Sequence, residues 1–269
     1  MVDPAAHNLI QMDRRTSASG DYVVLTLNRP EQMNPLDFAT VKRLEQLLLE
    51  ALVDDGLRGV ILTGAPPAFS AGGDLKGYVT LYQDKAGFTE FLACVGRIND
   101  LLSTSRLVSI AAVNGVCVAG GLEIVLACDL VVMSEDAVLI DGHVKYWQLP
   151  GGGGTQRLPR AIGPGPARAV LLTGDALTAH EAHRLGLVYR VCQATELVAD
   201  AAGIMERIIK APSLTIETVK KLVSLAENTP LDAGLAHERA VVTDYVCDNT
   251  VASSGLQKFL ERRDAAVEH

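Results

Sequence analysis

The order of apolar and polar positions along the chain predicts strands and helices in alternation. Five apolar segments rich in β-branched residues have the length and composition of buried strands. They lie at residues 22–27, 59–62, 107–113, 130–133 and 187–191. Apolar residues recur at helical spacing in the segments between them, at residues 36–53, 88–102, 167–172 and 179–185. Strands that alternate with helices in this way are typical of an α/β fold.

The pattern changes to amphipathic helix at about residue 195, and these helices have apolar faces that need cover. We therefore predict a core at residues 1–194 and a helical C-terminal region at residues 195–269. Residues 1–20 carry charges and lack the apolar core of a signal peptide, so we expect them to form a flexible lead. No apolar run reaches the length of a membrane span. These features favour a cytoplasmic location without a membrane partner.

Composition narrows the class of partner. Hydrophobic residues make up 48% of the 269 residues and charged residues 21%, which is typical of a globular protein. The net charge of −8 argues against nucleic acid as the main partner. The five cysteines are scattered and form no CxxC pair, so we expect reduced thiols and no metal site.

One stretch after a predicted strand has the features of a reactive site. Residues 113–129 have the sequence VNGVCVAGGLEIVLACD. Two glycines that open a helix let another group approach the backbone closely, and the first amides of a helix have no partner within it. Glu123 lies about one turn into this helix and is a candidate acid or base. The alternative is a glycine pair that serves only close packing, with Glu123 as a helix-start charge.

A second glycine-bearing turn follows the strand at residues 59–62. Residues 68–75 have the sequence AFSAGGDL. Together, the two turns resemble those of the crotonase family, the enoyl-CoA hydratase/isomerase superfamily. Further segments that are similar to this family in the expected order are LNRP at 27–30, NPL at 34–36, PGGGGTQRL at 150–158 and GLQKFLERR at 255–263.

The resemblance covers nearly the whole chain and has implications for fold, partners and ligands. It implies a crotonase-type spiral of ββα units, with a C-terminal helical region that forms trimers or pairs of trimers. It implies an acyl-CoA thioester as substrate, so that coenzyme A enters with the substrate and no separate cofactor is expected.

The resemblance also implies an oxyanion hole made of two backbone N–H groups, those of Gly73 and Gly120. A thioester enolate carries negative charge on its oxygen, and two fixed donors stabilise that oxygen more as the charge grows. The four-glycine run at residues 151–154 lacks the Gly-Lys-Ser/Thr of a phosphate-binding loop. It is similar instead to a family turn beside the acyl pocket.

Glu123 matches the first catalytic glutamate of the hydratases in this family. The position of the second glutamate, counted back from Pro150, is occupied by His143. A neutral imidazole can accept a proton from water, and an imidazolium can donate one. In an extended segment, Asp141 would share a face with His143 and could orient its ring. Tyr146 is a further candidate for the same pocket. The alternative is that His143 lies outside the site.

The resemblance suggests a larger set of residues that contact the substrate or its CoA portion. Asp74, which we expect to fix the first turn, and Gly121 belong to this set. Lys258 and Phe259 are expected to close the pocket, and could do so from a neighbouring subunit. The remaining members are Arg29, Asn34, Ala71, Leu75 and Lys76.

These observations favour an acyl-CoA hydro-lyase that hydrates a trans-2-enoyl-CoA to the 3-hydroxyacyl-CoA. Because His143 replaces the second glutamate, three other reactions on acyl-CoA stay open: hydrolysis of a carbon–carbon bond in a β-ketoacyl-CoA, double-bond isomerisation and decarboxylation. A third class is a non-catalytic relative that binds acyl-CoA or RNA. The acidic balance disfavours RNA, and Glu123 with both oxyanion positions disfavours a purely structural protein.

Overall fold

The computed structural model describes residues 9–226 and 228–267 and forms two compact units that divide between Lys210 and Ala211. The first unit is built on two sheets, which confirms the α/β class. In the described chain the strands are β1 (Ile10–Arg15), β2 (Asp21–Leu27), β3 (Leu57–Gly64), β4 (Ala68–Ser70), β5 (Val108–Val113), β6 (Val116–Val118), β7 (Leu130–Ser134), β8 (Val138–Ile140), β9 (Ala176–Thr178) and β10 (Arg190–Cys192).

The helices alternate with these strands and then follow them without interruption. Those of the first unit are α1 (Phe38–Val53), α2 (Leu75–Leu81), α3 (Lys85–Thr104), α4 (Gly120–Val125), α5 (Gly154–Ile162), α6 (Pro164–Thr173), α7 (Ala179–Arg184) and α8 (Leu197–Ile208). Those of the second unit are α9 (Ser213–Ala226), α10 (Leu231–Cys247) and α11 (Val251–Val267). The helical C-terminal region is therefore present.

A long strand, a short strand and a helix recur along the first unit, as in β3–β4–α2 and β5–β6–α4. The larger sheet has the order β1-β2-β3-β5-β7-β10, and its strands from β2 onward are parallel. The smaller sheet has the order β4-β6-β8-β9. This repetition confirms the ββα units. The short strands have three residues each, too few for a period of two to be recognised.

The central strands are buried on both faces, which explains why their sequences are unbroken apolar runs. All six residues of β5 are buried, as is nearly all of β3. Parallel sheets covered by helices on both faces have this composition. The core around them joins side chains from α1 and α3 to the sheet, including Leu44, Leu47 and Ile98.

The prediction of a flexible lead is wrong for residues 10–15. These residues form β1, which pairs antiparallel with β2 along its whole length, from Ile10 opposite Leu27 to Arg15 opposite Tyr22. Ile10 is the only buried residue of this edge strand. Backbone pairing rather than apolar burial holds it, so periodicity gave no signal. Residues 1–8 lie outside the described residues.

The boundary between the units lies at residues 210/211 and not near 195, because α8 belongs to the first unit. Helix α8 packs against β3, β5 and β7. Met205 is fully buried, and Gly59 on β3 leaves the space that its side chain occupies. The amphipathic pattern of α8 correctly indicated a helix. It could not indicate which partner covers the apolar face.

In the second unit, α9 and α10 have no buried residue, and the Thr215 and Tyr245 hydroxyls share a hydrogen bond of 2.6 Å. The exposed apolar side chains include Val223, Leu231 and Phe259. Trimerisation through this region stays a prediction. In the described part of the chain, no helix has the length and apolar character needed to cross a membrane.

We expect Met205→Ala to lower the free energy of unfolding of the first unit by about 2–5 kcal/mol, because it leaves a cavity between α8 and β3. Chemical denaturation monitored by circular dichroism measures this change. Val198→Ala, at an exposed position of the same helix, is the matched control and should cost far less. Equal losses for the two variants would contradict the packing of α8 on the sheet.

Candidate active site

Three turns come together because three short strands are neighbours. Strands β4, β6 and β8 pair in parallel, so their carboxyl ends lie side by side at one edge of the smaller sheet. The turns that follow contain Gly73, Gly120 and His143 in that order. A hydrogen bond of 2.8 Å from the Ala119 amide to the Ile140 carbonyl ties the second turn to the third strand.

Glycine lets the first two turns touch. Gly72 has φ +83°, and a Cβ added there would lie 2.7 Å from the Val118 carbonyl oxygen. A Cβ at Gly121 would lie 3.0 Å from the Ser70 Cβ, a distance that leaves no slack for a side chain. Gly121 is buried and does not line the cleft described below. Gly121 therefore serves close packing in this structure, and its contact with a substrate stays a prediction.

The backbone N–H groups of Gly73 and Gly120 have no hydrogen-bond acceptor within residues 9–226 and 228–267. Both glycines line the same cleft. Ala119, just before the second amide, has φ 50° and ψ −113°. A non-glycine residue in this region carries strain of about 1–3 kcal/mol. The strained bend sets the direction of the Gly120 amide, which begins the short helix α4.

Glu123 lies on α4 and is 3% exposed. Its Oε1 atom accepts hydrogen bonds from the Gly152 amide at 2.7 Å and the Gly154 amide at 2.9 Å. Burial raises the pKa of the carboxyl above its usual value, although these two amides and the nearby His143 partly offset the increase. A carboxylate that is both buried and oriented can exchange a proton closer to neutral pH than a surface glutamate.

His143 forms a dyad with Asp141. Its Nδ1 lies 2.9 Å from Asp141 Oδ1, and its backbone amide donates to the same oxygen at 3.2 Å. With Nδ1–H as the donor to this carboxylate, Nε2 is the ring nitrogen left for chemistry. The contact arises in a 3-10 helix that begins at His143 and not in the extended segment that we expected. The tight turn keeps the two side chains together.

Two opposing effects set the pKa of His143. Burial lowers the pKa of the imidazole. The hydrogen bond to Asp141, with the negative charges of Asp141 and Glu123, outweighs burial and raises the pKa above its usual value. Asp141 is 1% exposed, and its Oδ2 atom has no hydrogen-bond partner among the described residues. The imidazolium is thus the counter-ion that this buried carboxylate favours.

Gly73, Gly120, Glu123 and His143 line a cleft of about 750 Å³ whose wall is largely apolar. The wall includes six aromatic residues, namely Tyr78, Tyr82, Phe88, Phe91, Tyr146 and Trp147. A volume of this order suits a small-molecule ligand whose apolar part enters among these side chains.

Seven of the predicted site residues line this cleft. They are Ala71, Gly73, Leu75, Gly120, Glu123, His143 and Tyr146. Arg29, Asp74 and Lys76 lie outside the lining. Asp74 caps α2 by accepting from the Lys76 amide at 3.1 Å, as expected for a residue that fixes the turn. Lys258 and Phe259 belong to α11 of the second unit, and their contribution to a pocket stays a prediction.

Asn34 is an internal brace and not a cleft residue. It is 1% exposed with φ 56°. Its side-chain amide donates to the Ala65 carbonyl at 2.9 Å and the Ala68 carbonyl at 2.7 Å, and its Oδ1 accepts from the Arg29 amide at 2.8 Å. These bonds use both donor hydrogens and the side-chain oxygen. The side chain is therefore engaged within the protein, and the contact of Asn34 with CoA stays a prediction. The Arg29 guanidinium bonds to Asp37 and Gln32.

Sequence reasoning missed several groups that shape the site. The amides of Gly152 and Gly154 orient Glu123, and Asn99 holds this loop through a 2.6 Å bond from its Nδ2 to the Gly152 carbonyl. The four-glycine run was the available signal, since a Cβ at Gly152 would lie 2.9 Å from Glu123 Oε2. Tyr78 on α2, whose ring packs over Gly73, had no signal in the local pattern.

Known proteins are similar to this chain in both sequence and architecture. A family model described as Enoyl-CoA hydratase/isomerase matches residues 18–269. The crotonyl-CoA hydratase of Syntrophomonas wolfei is 33% identical over 244 residues, which cover 90% of this chain and 92% of that protein. The mitochondrial enoyl-CoA hydratase of Pongo abelii is 31% identical over 242 residues, with coverage of 90% and 82%.

Solved structures give the same result for the fold. A crystal structure of an enoyl-CoA hydratase from Bacillus anthracis has a TM-score of 0.87 with this chain at 31% identity. The match covers 94% of this chain and 96% of that one. The crotonase fold expected from the sequence is thereby confirmed.

We expect Asn34→Ala to lower the free energy of unfolding by about 2–3 kcal/mol, because it leaves buried carbonyls without donors. Thermal and denaturant unfolding measure this loss. Gln32→Ala, at an exposed position nearby, is the control. If Asn34→Ala weakened ligand binding with stability intact, the brace assigned to this side chain would be wrong.

Proposed function

Because the chain belongs to the enoyl-CoA hydratase/isomerase family, we propose that it catalyses the reversible hydration of a trans-2-enoyl-CoA to the 3-hydroxyacyl-CoA. The single observation that carries this proposal is the convergence of two unengaged amides, a buried glutamate and a histidine–aspartate dyad on one cleft. Hydration of an enoyl thioester needs all three: donors for the oxygen, a base for water and an acid for carbon 2.

In this proposal the Gly73 and Gly120 amides hold the thioester oxygen. Negative charge moves to that oxygen as water adds to carbon 3. Amides that already point into an apolar cleft need no reorganisation to stabilise it, and a single donor of this kind contributes roughly 3 kcal/mol to catalysis. The strained bend at Ala119 supports this role, since strain of this kind is retained where a backbone group must be aimed.

The proton transfers are divided between Glu123 and His143. The Glu123 carboxylate accepts a proton from water while the oxygen of that water bonds to carbon 3. The π electrons of the double bond pass into the enolate, whose oxygen the two amides hold. The His143 imidazolium then gives a proton to carbon 2, and the enolate returns to the thioester. The enzyme is left with a neutral carboxyl and a neutral imidazole, and exchange with solvent restores both charges.

The CoA portion, the assembly and the location belong to the same proposal. We expect Ala71 and Leu75 to flank the adenine, with the exposed Lys76 and the partly buried Arg29 near the phosphates. Lys258 and Phe259 are expected to complete the pocket within a homotrimer or hexamer. The exposed apolar side chains of the second unit support assembly. A cytoplasmic location is part of this proposal.

A second reaction is supported by one observation, the Asp141–His143 dyad. A histidine held by a carboxylate is a common activator of water, and here it could direct water at the ketone of a β-ketoacyl-CoA. The bond between carbons 2 and 3 would break, with the ketone carbon becoming a free acid and the thioester enolate taking a proton. Product analysis separates the two reactions: a 3-hydroxyacyl-CoA supports hydration, and a free acid with a shortened acyl-CoA supports hydrolysis.

Glu123→Gln should lower kcat for hydration of crotonyl-CoA by about 10²–10⁴-fold, because the amide cannot take a proton from water. The substituted side chain can still accept from Gly152 and Gly154, so the fold should persist. Loss of the enoyl-thioester absorbance measures the rate, and Glu135→Gln at an exposed position is the control. A Glu123→Gln enzyme as fast as the native one would refute the proposal.

Hydration should require ionised Glu123 and protonated His143, which gives a bell-shaped dependence of kcat on pH. The acid limb follows the raised pKa of Glu123, and the alkaline limb follows the pKa of His143, above its usual value of 6.5. Asp141→Asn removes the negative charge that opposes the effect of burial on His143. The pKa of His143 should therefore fall, and the alkaline limb should move to lower pH.

The pH profiles of kcat for the native protein and Asp141→Asn measure this shift. An alkaline limb that stays in place in the variant would show that His143 is not the proton donor. A limb that moves to higher pH would contradict the electrostatic role given to Asp141.

A further inference from the structure

One polar group in the cleft has no task in the mechanism above. The phenol of Tyr78, on α2, packs directly over the α-carbon of Gly73, and any side chain at position 73 would overlap the ring and its hydroxyl. Glycine at position 73 therefore makes room for this hydroxyl. The hydroxyl lies beside the residue whose amide faces the cleft, and both residues line the cleft together with Glu123.

The Tyr78 hydroxyl has no hydrogen-bond partner in the part of the chain that the structure describes. Other tyrosines do have one: the hydroxyl of Tyr82 donates to Gln148 Oε1 at 2.6 Å, and that of Tyr22 donates to Glu206 at 3.2 Å. Burial raises the pKa of Tyr78 well above its usual value, so its hydroxyl keeps its proton and remains a donor. Tyr78 is partly buried and lines the cleft, so a bound ligand can supply the acceptor for its hydroxyl.

The ring is held firmly in this place. Tyr78 stacks on Tyr82 with centroids 5.5 Å apart, and it meets the buried Phe91 edge to face, also at 5.5 Å. These two contacts restrain the orientation of the ring. The hydroxyl is therefore fixed before any ligand binds, as a donor that stabilises developing charge must be.

We propose that the Tyr78 hydroxyl is a third hydrogen-bond donor to the thioester oxygen of the bound substrate, beside the Gly73 amide. This proposal rests on the proposed function, because it requires an acyl thioester in the cleft. No proton is transferred and no bond to the substrate forms. The neutral phenol donates to an oxygen that becomes more negative in the enolate, so its contribution grows along the reaction.

Tyr78→Phe removes one oxygen atom and keeps the ring, and because that oxygen has no protein partner among the described residues, we expect the melting temperature to hold. With crotonyl-CoA, kcat should fall by about 10–100-fold, at or below the lower end of the 10²–10³-fold loss typical of an oxyanion-hole donor, because the two amides remain. KM should change by less than about threefold, since the interaction strengthens mainly in the transition state.

Tyr82→Phe is the comparison, at the residue that directly follows α2. It removes a hydroxyl that bonds to Gln148 and so measures what a disturbance of this wall costs. The loss of kcat in Tyr78→Phe should exceed that in Tyr82→Phe by at least about fivefold. Equal losses in the two variants, or a native kcat in Tyr78→Phe, would overturn the proposal.

A second measurement keeps this proposal separate from the hydratase assignment. Exchange of the carbon-2 protons of butyryl-CoA with deuterium oxide passes through the thioester enolate without any hydration step. If the native protein fails to hydrate enoyl-CoA but catalyses this exchange, and Tyr78→Phe slows it about tenfold or more, the donor role stands while the hydratase assignment falls. If the native protein catalyses neither process, or if Tyr78→Phe exchanges at the native rate, the donor role is wrong.

Discussion

The parallel pairing of three short strands is the constraint on which the site depends. Strands β4, β6 and β8 come from different ββα units, and each is followed at once by a turn that faces the cleft. Because parallel strands have their carboxyl ends at the same edge, pairing alone gathers these turns. A slip in register would separate the Gly73 and Gly120 amides even if every residue were retained.

Close backbone approach is the second requirement, and it explains the glycines that matter. Gly72 admits the Val118 carbonyl, and Gly152 admits the carboxylate of Glu123. Gly73 admits the phenol of Tyr78. In each case a methyl group would occupy space that a polar group of the site already fills. The strained bend at Ala119 shows the cost of aiming an amide where glycine is not used.

The electrostatics of the site follow from burial combined with a few fixed partners. Glu123 and Asp141 are both almost fully buried, an expensive arrangement for two carboxylates. Two backbone amides orient the first, and His143 pairs with the second. The raised pKa values of Glu123 and His143 arise from this arrangement. Glu123 and His143 can therefore hold one negative and one positive charge in a cleft whose wall is largely apolar.

Sequence alone determined the α/β class, the long buried strands and the glycine-bearing turns. It also identified Glu123 and His143 as candidate catalytic residues. Those features are local: an unbroken apolar run, a helical period or a short motif carries the information. The tertiary structure alone decided that β1 is an edge strand and that α8 packs against the larger sheet. It also decided that the Asn34 side chain holds backbone groups of other segments through hydrogen bonds. It also decided which amides hold Glu123 and where the Tyr78 hydroxyl lies. Each of these depends on contacts between segments far apart in the chain, such as Glu123 with Gly154, 31 residues away, and no local pattern encodes which partner will cover a face or accept a hydrogen bond.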